Sequence, residues 1–473
     1  MILKKGKKSG RSTVLIGMQY GDEGKARVMD TMLKDYDIVA RFNGGANAGH
    51  TLEVGNTKIA LHQVPSGIFH KKMLLYIGSG CVLNPEKVLA EIKDIESKGI
   101  KVKGRLFISG FVTLIQPHHL LFDEIYGKDI GSTKNGIGPA YADRAMRAKD
   151  KEIKNIRFGD YLSNPEYFNA MAKDSLARMI KKHEVKELDA DTEAKNFHNN
   201  VIAIKEYLCR DPLMIEKLVS NGKSIFFEGA QSVMLDVVTG MTPYVTSSRT
   251  IAAAAYTGGD LSIRYHDKTL GVAKAIMSRV GNGPFVSEFG GRKSEEYCAE
   301  GEGKAHVKER EESDFDVESL MHSDDLFKIG IGMRMLGQEY GATTKRPRRI
   351  GMLDLVMLRQ NCMLNGVDGL YINKFDCLTF FSRTKLKGIP LVTAYRLDGK
   401  EIDYMPQTVA EARRVEPVIK YLPHIKEDIS SVRSYAKLPQ SVKNVIKFIE
   451  KQVGTKVCGI GVGPEREQFV KID

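Results

Sequence analysis

The sequence predicts an α/β fold built as one large domain around a mainly parallel central sheet. Three observations carry that reading. Residues 13–17 form a β-rich run that ends at a glycine, after which Ala26, Val28, Met29, Met32 and Leu33 recur at helical spacing. Residues 38–42 supply a second strand, and strand, turn, helix, strand is the opening of a parallel sheet. The alternation then continues to the carboxyl end. Further strands are expected at 74–77, 106–108, 224–227, 369–372, 390–394 and 456–460, and helices at 85–97, 174–183, 200–208 and 353–364. No linker interrupts them, so the domain is expected over 13–473, behind a basic, disordered arm at 1–12.

One segment departs from this pattern. Residues 290–328 hold twelve Asp or Glu and six Lys or Arg, with few apolar side chains. Such a stretch buries too little apolar surface to order itself readily. An exposed charged insertion is expected, either a solvated excursion or a regulatory or partner-binding element.

At 473 residues, 42% hydrophobic and 27% charged, the chain has the composition of a soluble globular protein with a large core. It contains no run of about 18 apolar residues, so no membrane span is expected. The amino-terminal stretch is basic but lacks an apolar core, which argues against a secretory signal. Cys81, Cys209, Cys298, Cys362, Cys377 and Cys458 include no Cys-x-x-Cys pair. That spacing argues against a disulfide framework or a zinc site and for a reducing cytoplasm. The net charge of +12 admits a nucleic-acid binder, a merely basic surface, or cations converging on small anionic substrates. The arginines sit in short motifs with Thr, Gly and Pro, not in long basic stripes. The last two readings together are favoured, with no nucleic-acid partner.

Two segments at opposite ends of the chain suggest a guanine nucleotide. Asn373-Lys374-Phe375-Asp376 follows a predicted strand and has the form of a guanine reader. An aspartate held there can accept from the N1–H and 2-amino groups of guanine, donors that adenine lacks on that edge. Residues 17–25, ending in Gly21-Asp22-Glu23-Gly24-Lys25, join the first strand to the first helix. Glycines admit backbone N–H groups to phosphate, and the helix start adds positive charge. This is not a Walker A loop, because Ala26 stands where that motif has Ser or Thr and the glycines are spaced differently. Lys25 offers a point charge to phosphate oxygens. Asp22 would be repelled there unless it binds Mg2+ or acts as a base; a cap at the helix start is the plainer alternative.

Other small-residue loops follow strands, where α/β sheets bind ligands. Residues 43–51 carry three glycines and end in His50-Thr51, and His50 could donate a proton at neutral pH. Residues 131–141 form a glycine-rich loop with Thr133, followed by Asp143, Arg144 and Arg147. Hydroxyls and arginines suit a nucleotide monophosphate; an ordinary turn is the alternative. Gln231 follows the strand at 224–227 and offers an amide to a purine, and residues 242–248 come shortly after. Residues 341–349 gather Lys345, Arg346, Arg348 and Arg349 beside Thr343 and Thr344. Arginine forks suit a small dicarboxylate; a solvated basic loop is the alternative.

In order, from about Thr13 to Val470, these motifs resemble the adenylosuccinate synthetase family. The resemblance implies a single α/β domain that is P-loop-NTPase-like only in its guanine site, acting as a homodimer. It implies GTP-dependent ligation of IMP and L-aspartate to adenylosuccinate, with GDP and phosphate released, through a 6-phosphoryl-IMP intermediate. Position by position, Asp22 matches the general base and a Mg2+ ligand, the Gly49 carbonyl a second ligand, and His50 the general acid, with Lys25 and Gln231 beside the chemistry. Asp22, Lys25, Asn47, His50, Thr133, Gln231, Thr246 and Arg346 match IMP-binding positions, and Arg147 matches an arginine that reaches the neighbouring subunit's IMP. Thr343, Thr344, Arg346 and Arg348 match the aspartate loop. Gly21, Glu23, Gly24, Lys25, Gly49, Thr51, Arg348, Lys374, Asp376, Gly461 and Gly463 match the GTP site.

The chain also departs from the family pattern. Ala46 stands for the usual His, Ala26 and Arg27 for Gly and Lys, Ser232 and Lys345 for Gly, and Gly461 for Ser or Thr, while 249–256 differs from the usual glycine-rich run. These changes bear on which purine monophosphate is preferred. Relatives acting on a 2-amino purine nucleotide (GMP-like or dGMP-like) tend to replace the base at the Asp22 position, so the retained Asp favours IMP. A non-catalytic GTP switch would need Lys374 and Asp376 but not His50, Gln231 or the arginine turn. An RNA-binding protein explains the charge and none of the motifs.

Overall fold

The computed structural model describes residues 10–47, 49–54, 57–127, 133–149, 152–300, 306–341 and 345–472; at 50–54, 57, 58 and 300 it describes the backbone alone. Ten strands form the central sheet. From one edge the order is Leu208–Cys209, Leu106–Ser109, Leu74–Ile77, Ile38–Arg41, Ile225–Ser232, Ser12–Gly17, His266–Lys274, Gly369–Asn373, Val457–Gly461 and Phe469–Lys471. Every neighbouring pair is parallel except the last, which is antiparallel. Parallel strands are covered on both faces, and Ser12–Gly17 is buried at each of its positions. Val14 and Ile16 join Ala40 and Phe227 in the core on one face, and Leu15 joins Val39, Leu75 and Phe226 on the other. Because the strands run the same way, the loops that follow them gather at one edge.

Local signals set several elements. Pro85–Ser97 has the bounds its periodicity predicts: Asn84 accepts from Lys87 N (3.1 Å), Pro85 opens the first turn, and Val88, Ile92 and Ile95 face inward. Other elements differ from expectation. The helix expected at 174–183 begins earlier, as Pro165–His183, behind an Asn164 cap. The helix expected at 200–208 ends at Ala203, and Leu208–Cys209 is an edge strand of the main sheet. A short apolar run does not distinguish helix from strand until a partner pairs with it. Leu353–Asp354 is likewise a strand, and Asp354 caps helix Leu355–Asn365 through Met357 N (3.1 Å). The strand expected at 390–394 lies in a separate four-stranded sheet, with Leu353–Asp354, Lys400–Ile402 and Glu416–Leu422.

The expected boundaries also shift. Gly10 N donates to Val219 O (2.9 Å) and Ser12 is fully buried, so residues 10–12 of the arm expected at 1–12 belong to the folded domain. The described residues of the charged segment are folded, against the expectation that it would not order itself readily. It forms Gly291–Glu300, Lys308–Asp314 and Val317–Met321, followed by Leu326–Gly337. Its few apolar side chains share a side: Tyr297, Phe315, Val317 and Phe327 pack with Leu320, Ile331, Met335 and Tyr340. Its Glu311 is buried against Arg334 at 2.6 Å. Composition counts Glu311 as a solvated charge, whereas its partner comes from a later helix. Among the described residues no helix is long and apolar enough to cross a membrane.

Candidate active site

The first loop at the sheet's carboxyl edge is organised by a buried acid. Glu23 accepts from Gln19 N (3.1 Å), Gly21 N (2.9 Å), Ser232 Oγ (2.5 Å) and Lys25 Nζ (3.0 Å). The Glu23 side chain is thus turned inward as a staple, and Ser232, one of the departures from the family pattern, supplies one of its bonds. The staple holds a strained turn: Gly21, Asp22 and Gly24 have φ of 98°, 58° and 82°. Left-handed backbone costs a non-glycine residue roughly 1–2 kcal/mol. Here it presents the Asp22 carboxylate outward, 51% exposed. Lys25 Nζ also donates to Gln231 O (2.9 Å), joining this loop to the one after Ile225–Ser232.

The other end of the chain closes on the same turn. Asn373 Nδ2 donates to Glu23 O (2.6 Å) and Gly24 O (3.3 Å), so the predicted guanine reader and the predicted phosphate turn are directly bonded. Phe375 N donates to Gly461 O (2.9 Å), which sets the loop containing Gly461 and Gly463 beside Asp376. A Cβ at Gly461 would lie 2.7 Å from Asn373 Oδ1 and 3.1 Å from Arg27 Nη1. Two departures from the family pattern, Arg27 and Gly461, are therefore in contact, the missing side chain making room for the longer cation. Burial pushes the Asp376 carboxyl above its ordinary value, and the charges of Lys374 and Arg27 only partly offset this.

A second buried acid links the two sides. Glu339 accepts from Lys274 Nζ (2.9 and 2.8 Å) and Arg348 Nη1 (2.8 Å), and Lys374 Nζ lies 3.2 Å away. Burial alone would raise its carboxyl, but the Lys274, Lys374 and Arg348 charges hold it well below the ordinary carboxylate range. Arg348 Nη2 lies 2.6 Å from Asp22 Oδ2. Contacts therefore run unbroken from Asp22 through Arg348 and Glu339 to Lys374. Glu339→Ala, which strands Lys274 in the interior without its counter-charge, is expected to destabilise the protein by about 3–5 kcal/mol. Chemical denaturation checks this; an unchanged midpoint contradicts it.

Across the cleft, a Cβ on Gly44 would lie 3.2 Å from Gln231 Oε1 and 3.5 Å from Asn47 Oδ1, so Asn47 and Gln231 border the same spot. Gln231 too has a positive φ, 57°. Thr246 N donates to Leu235 O (2.8 Å), and the Leu235 side chain borders Gly21. Thr133 Oγ1 accepts from Asn135 Nδ2 (3.0 Å), and Gly138, in the first turn of the following helix, faces Ser247. Arg147 is exposed at the end of helix Ile137–Met146, where its carbonyl accepts from Lys154 N (2.8 Å). Arg346 is exposed, and its carbonyl accepts from Gly341 N (2.9 Å). Gly49 is exposed, and a Cβ there would meet nothing within 4 Å. Thr343 and Thr344 lie outside the described residues, as do the side chains of His50 and Thr51.

Four buried side-chain atoms along this edge have no hydrogen-bond partner among the described residues: Gln231 Oε1, Asn373 Oδ1, Asp376 Oδ1 and Arg348 Nε. Buried polar atoms are normally paired, so their gathering marks a surface completed by a polar ligand. Glu339 and Lys274 escaped the sequence reading, and Arg27 entered it only as a departure from the family pattern. An acid two residues before a basic turn was the one available signal for Glu339.

Away from this cleft, His118, His119 and Asp143 place their donor atoms within metal-binding distance of one another. His119 Nδ1, however, accepts from Gln116 N (3.0 Å), so its proton sits on Nε2 and points at Asp143 Oδ2 (3.0 Å). Burial holds His119 down to about 4, and the group serves as a hydrogen-bonded brace for the helix that carries Arg147.

Fold and site define a class: α/β proteins with one large, mostly parallel sheet, whose glycine-rich and arginine-rich loops converge at its carboxyl edge. The model of the adenylosuccinate synthetase family matches residues 14–470, and the chain belongs to that family. Adenylosuccinate synthetase 2 of Cupriavidus pinatubonensis is 39% identical over 98% of this chain and 97% of its own length. The adenylosuccinate synthetase of Acetivibrio thermocellus is 36% identical over 97% and 99%. Among solved structures, fully ligated adenylosuccinate synthetase from Plasmodium falciparum superposes with a TM-score of 0.81 at 30% identity, covering 98% of this chain and 100% of that one. A cyanophage S-2L succinoaminodeoxyadenylate synthetase bound to dGMP and dATP shares the fold, at a TM-score of 0.57 and 16% identity over 98% and 96%.

Proposed function

We propose that this enzyme is a GTP-dependent ligase that joins IMP and L-aspartate into adenylosuccinate, releasing GDP and phosphate, in purine biosynthesis. The observation that carries the reading is the bonded junction of Asn373 with the Glu23–Gly24 turn, ringed by unpartnered polar atoms. It supports the reading by tying Asp376, the carboxylate expected to read guanine, to the turn expected to meet phosphate.

The residues divide the chemistry between them. The 6-oxo group of IMP is a poor leaving group. Asp22 takes the N1 proton, and the 6-oxygen attacks the γ-phosphate of GTP to give 6-phosphoryl-IMP. The aspartate amine then displaces phosphate at C6. Arg348, which pairs with Asp22, also attracts substrate phosphate and carboxylate, and their binding frees Asp22 to act as the base. The phosphoryl group in transfer is assigned to Lys25 and His50, and the orientation of IMP to Gln231, Asn47, Thr133 and Thr246. A hard cation suits the exposed Asp22 carboxylate and the open carbonyl of Gly49. Mg2+ held there would neutralise phosphate charge. Arg147, exposed on the surface, acts on the IMP of a second copy in a cytoplasmic homodimer.

The test mixes protein, Mg2+, GTP and aspartate with either IMP or GMP and follows phosphate release. Release that requires both IMP and aspartate is expected. Release with GMP and none with IMP would overturn the choice of IMP in favour of a 2-amino purine substrate.

A further inference from the structure

The charged segment is packed against the arginine turn at several points. Arg334 is buried on helix Leu326–Gly337. Its Nε and Nη2 donate to the two oxygens of Glu311 at 2.9 and 2.6 Å. Its Nη1 donates to the backbone carbonyl of Arg348 at 2.9 Å. The Tyr297 ring lies 5.5 Å from the same guanidinium, so the segment encloses it from two helices. Tyr340, next to Glu339, donates its hydroxyl to Glu311 Oε2 (2.7 Å). Lys308 N donates to Lys345 O (3.2 Å). Lys345 has a φ of 55°, left-handed backbone at a position where the family usually has glycine. Arg349, the next cation after Arg348, meets Glu295 of the segment at 3.5 Å.

We infer that the helices Gly291–Glu300 and Lys308–Asp314 set the position of residues 345–349, with Glu311 as the positioning residue, and thereby set the enzyme's affinity for its dicarboxylate amino acid. Glu311 does not reach substrate. It acts through Arg334, which holds the carbonyl of Arg348 from behind, and through Tyr340, whose backbone bridges to Pro347, while the side chain of Arg348 faces Asp22 and Glu339. A bidentate, fully buried Arg–carboxylate pair has one geometry, so the carbonyl it presents the turn against is held in place. Without that support, Arg348 and the strained Lys345 backbone would be free to relax away from the cleft. The inference rests on the proposed reading of Arg348 as an aspartate-binding residue.

Steady-state kinetics of Glu311→Gln, Glu311→Asp and Tyr340→Phe test it, with a thermal unfolding midpoint recorded for each. In Glu311→Gln the KM for aspartate is expected to rise at least about tenfold, because charge-assisted bonds to Arg334 are lost, while the KM for IMP stays within about twofold. Glu311→Asp should recover part of the rise, since it restores the charge. Tyr340→Phe should raise the aspartate KM by a few-fold at a nearly unchanged midpoint, and it decides the matter if Glu311→Gln does not fold. A lower midpoint with an unchanged aspartate KM in the folded variants overturns the inference and leaves Glu311 a purely structural residue. Wild-type protein that releases no phosphate in response to aspartate overturns the reading of the reaction instead.

Discussion

Asp22→Asn is expected to lower turnover by at least about three orders of magnitude, near the upper end for loss of a general base. Folding should barely change. The Asp22 side chain is half exposed, its φ is 58°, and Asn is among the residues that accept left-handed backbone readily. The staple under the turn belongs to Glu23 and is untouched. Arg348 keeps its second partner, Glu339. Phosphate release with IMP, GTP and aspartate measures turnover, and denaturant unfolding measures stability. Near-normal turnover in a folded Asp22→Asn protein would remove Asp22 from the chemistry and leave its outward presentation without a purpose.

Asp376→Asn is expected to exchange guanine for xanthine selectivity. The carboxylate accepts from two guanine donors, whereas the amide places a donor where guanine also has one and xanthine has a carbonyl. Two mismatched hydrogen bonds weigh roughly 2–4 kcal/mol against GTP. The structure sharpens this expectation. Asp376 Oδ1 is buried without a partner among the described residues, so that oxygen has no internal bond to give up to the base. Competition between GTP and xanthosine triphosphate in the same assay reads the outcome. Retained preference for GTP would place the base elsewhere on the sheet edge.

The sequence by itself determined the alternation of strands and helices, the capped helix Pro85–Ser97 and the loops that hold Asp22, Gln231 and Asp376. These are local matters: periodicity, caps and glycine-rich turns are decided among residues a few positions apart. Tertiary structure alone decided which strands pair, and so sent residues 389–397 to a second sheet and made an edge strand of Leu208–Cys209. It alone decided which charges are buried. Glu311 and Glu339 look like ordinary surface acids in the sequence and Glu23 like part of a nucleotide loop, yet each is enclosed by donors, and for Glu23 and Glu339 some of these lie far along the chain: Ser232 for the first, Lys274 for the second. The reason is electrostatic. A buried carboxylate is tolerable only where donors and cations converge on it, and convergence is a property of folded space that no local window contains. The same holds for Arg27 and Gly461, whose departures from the family pattern are separate oddities in the sequence and one contact in the fold.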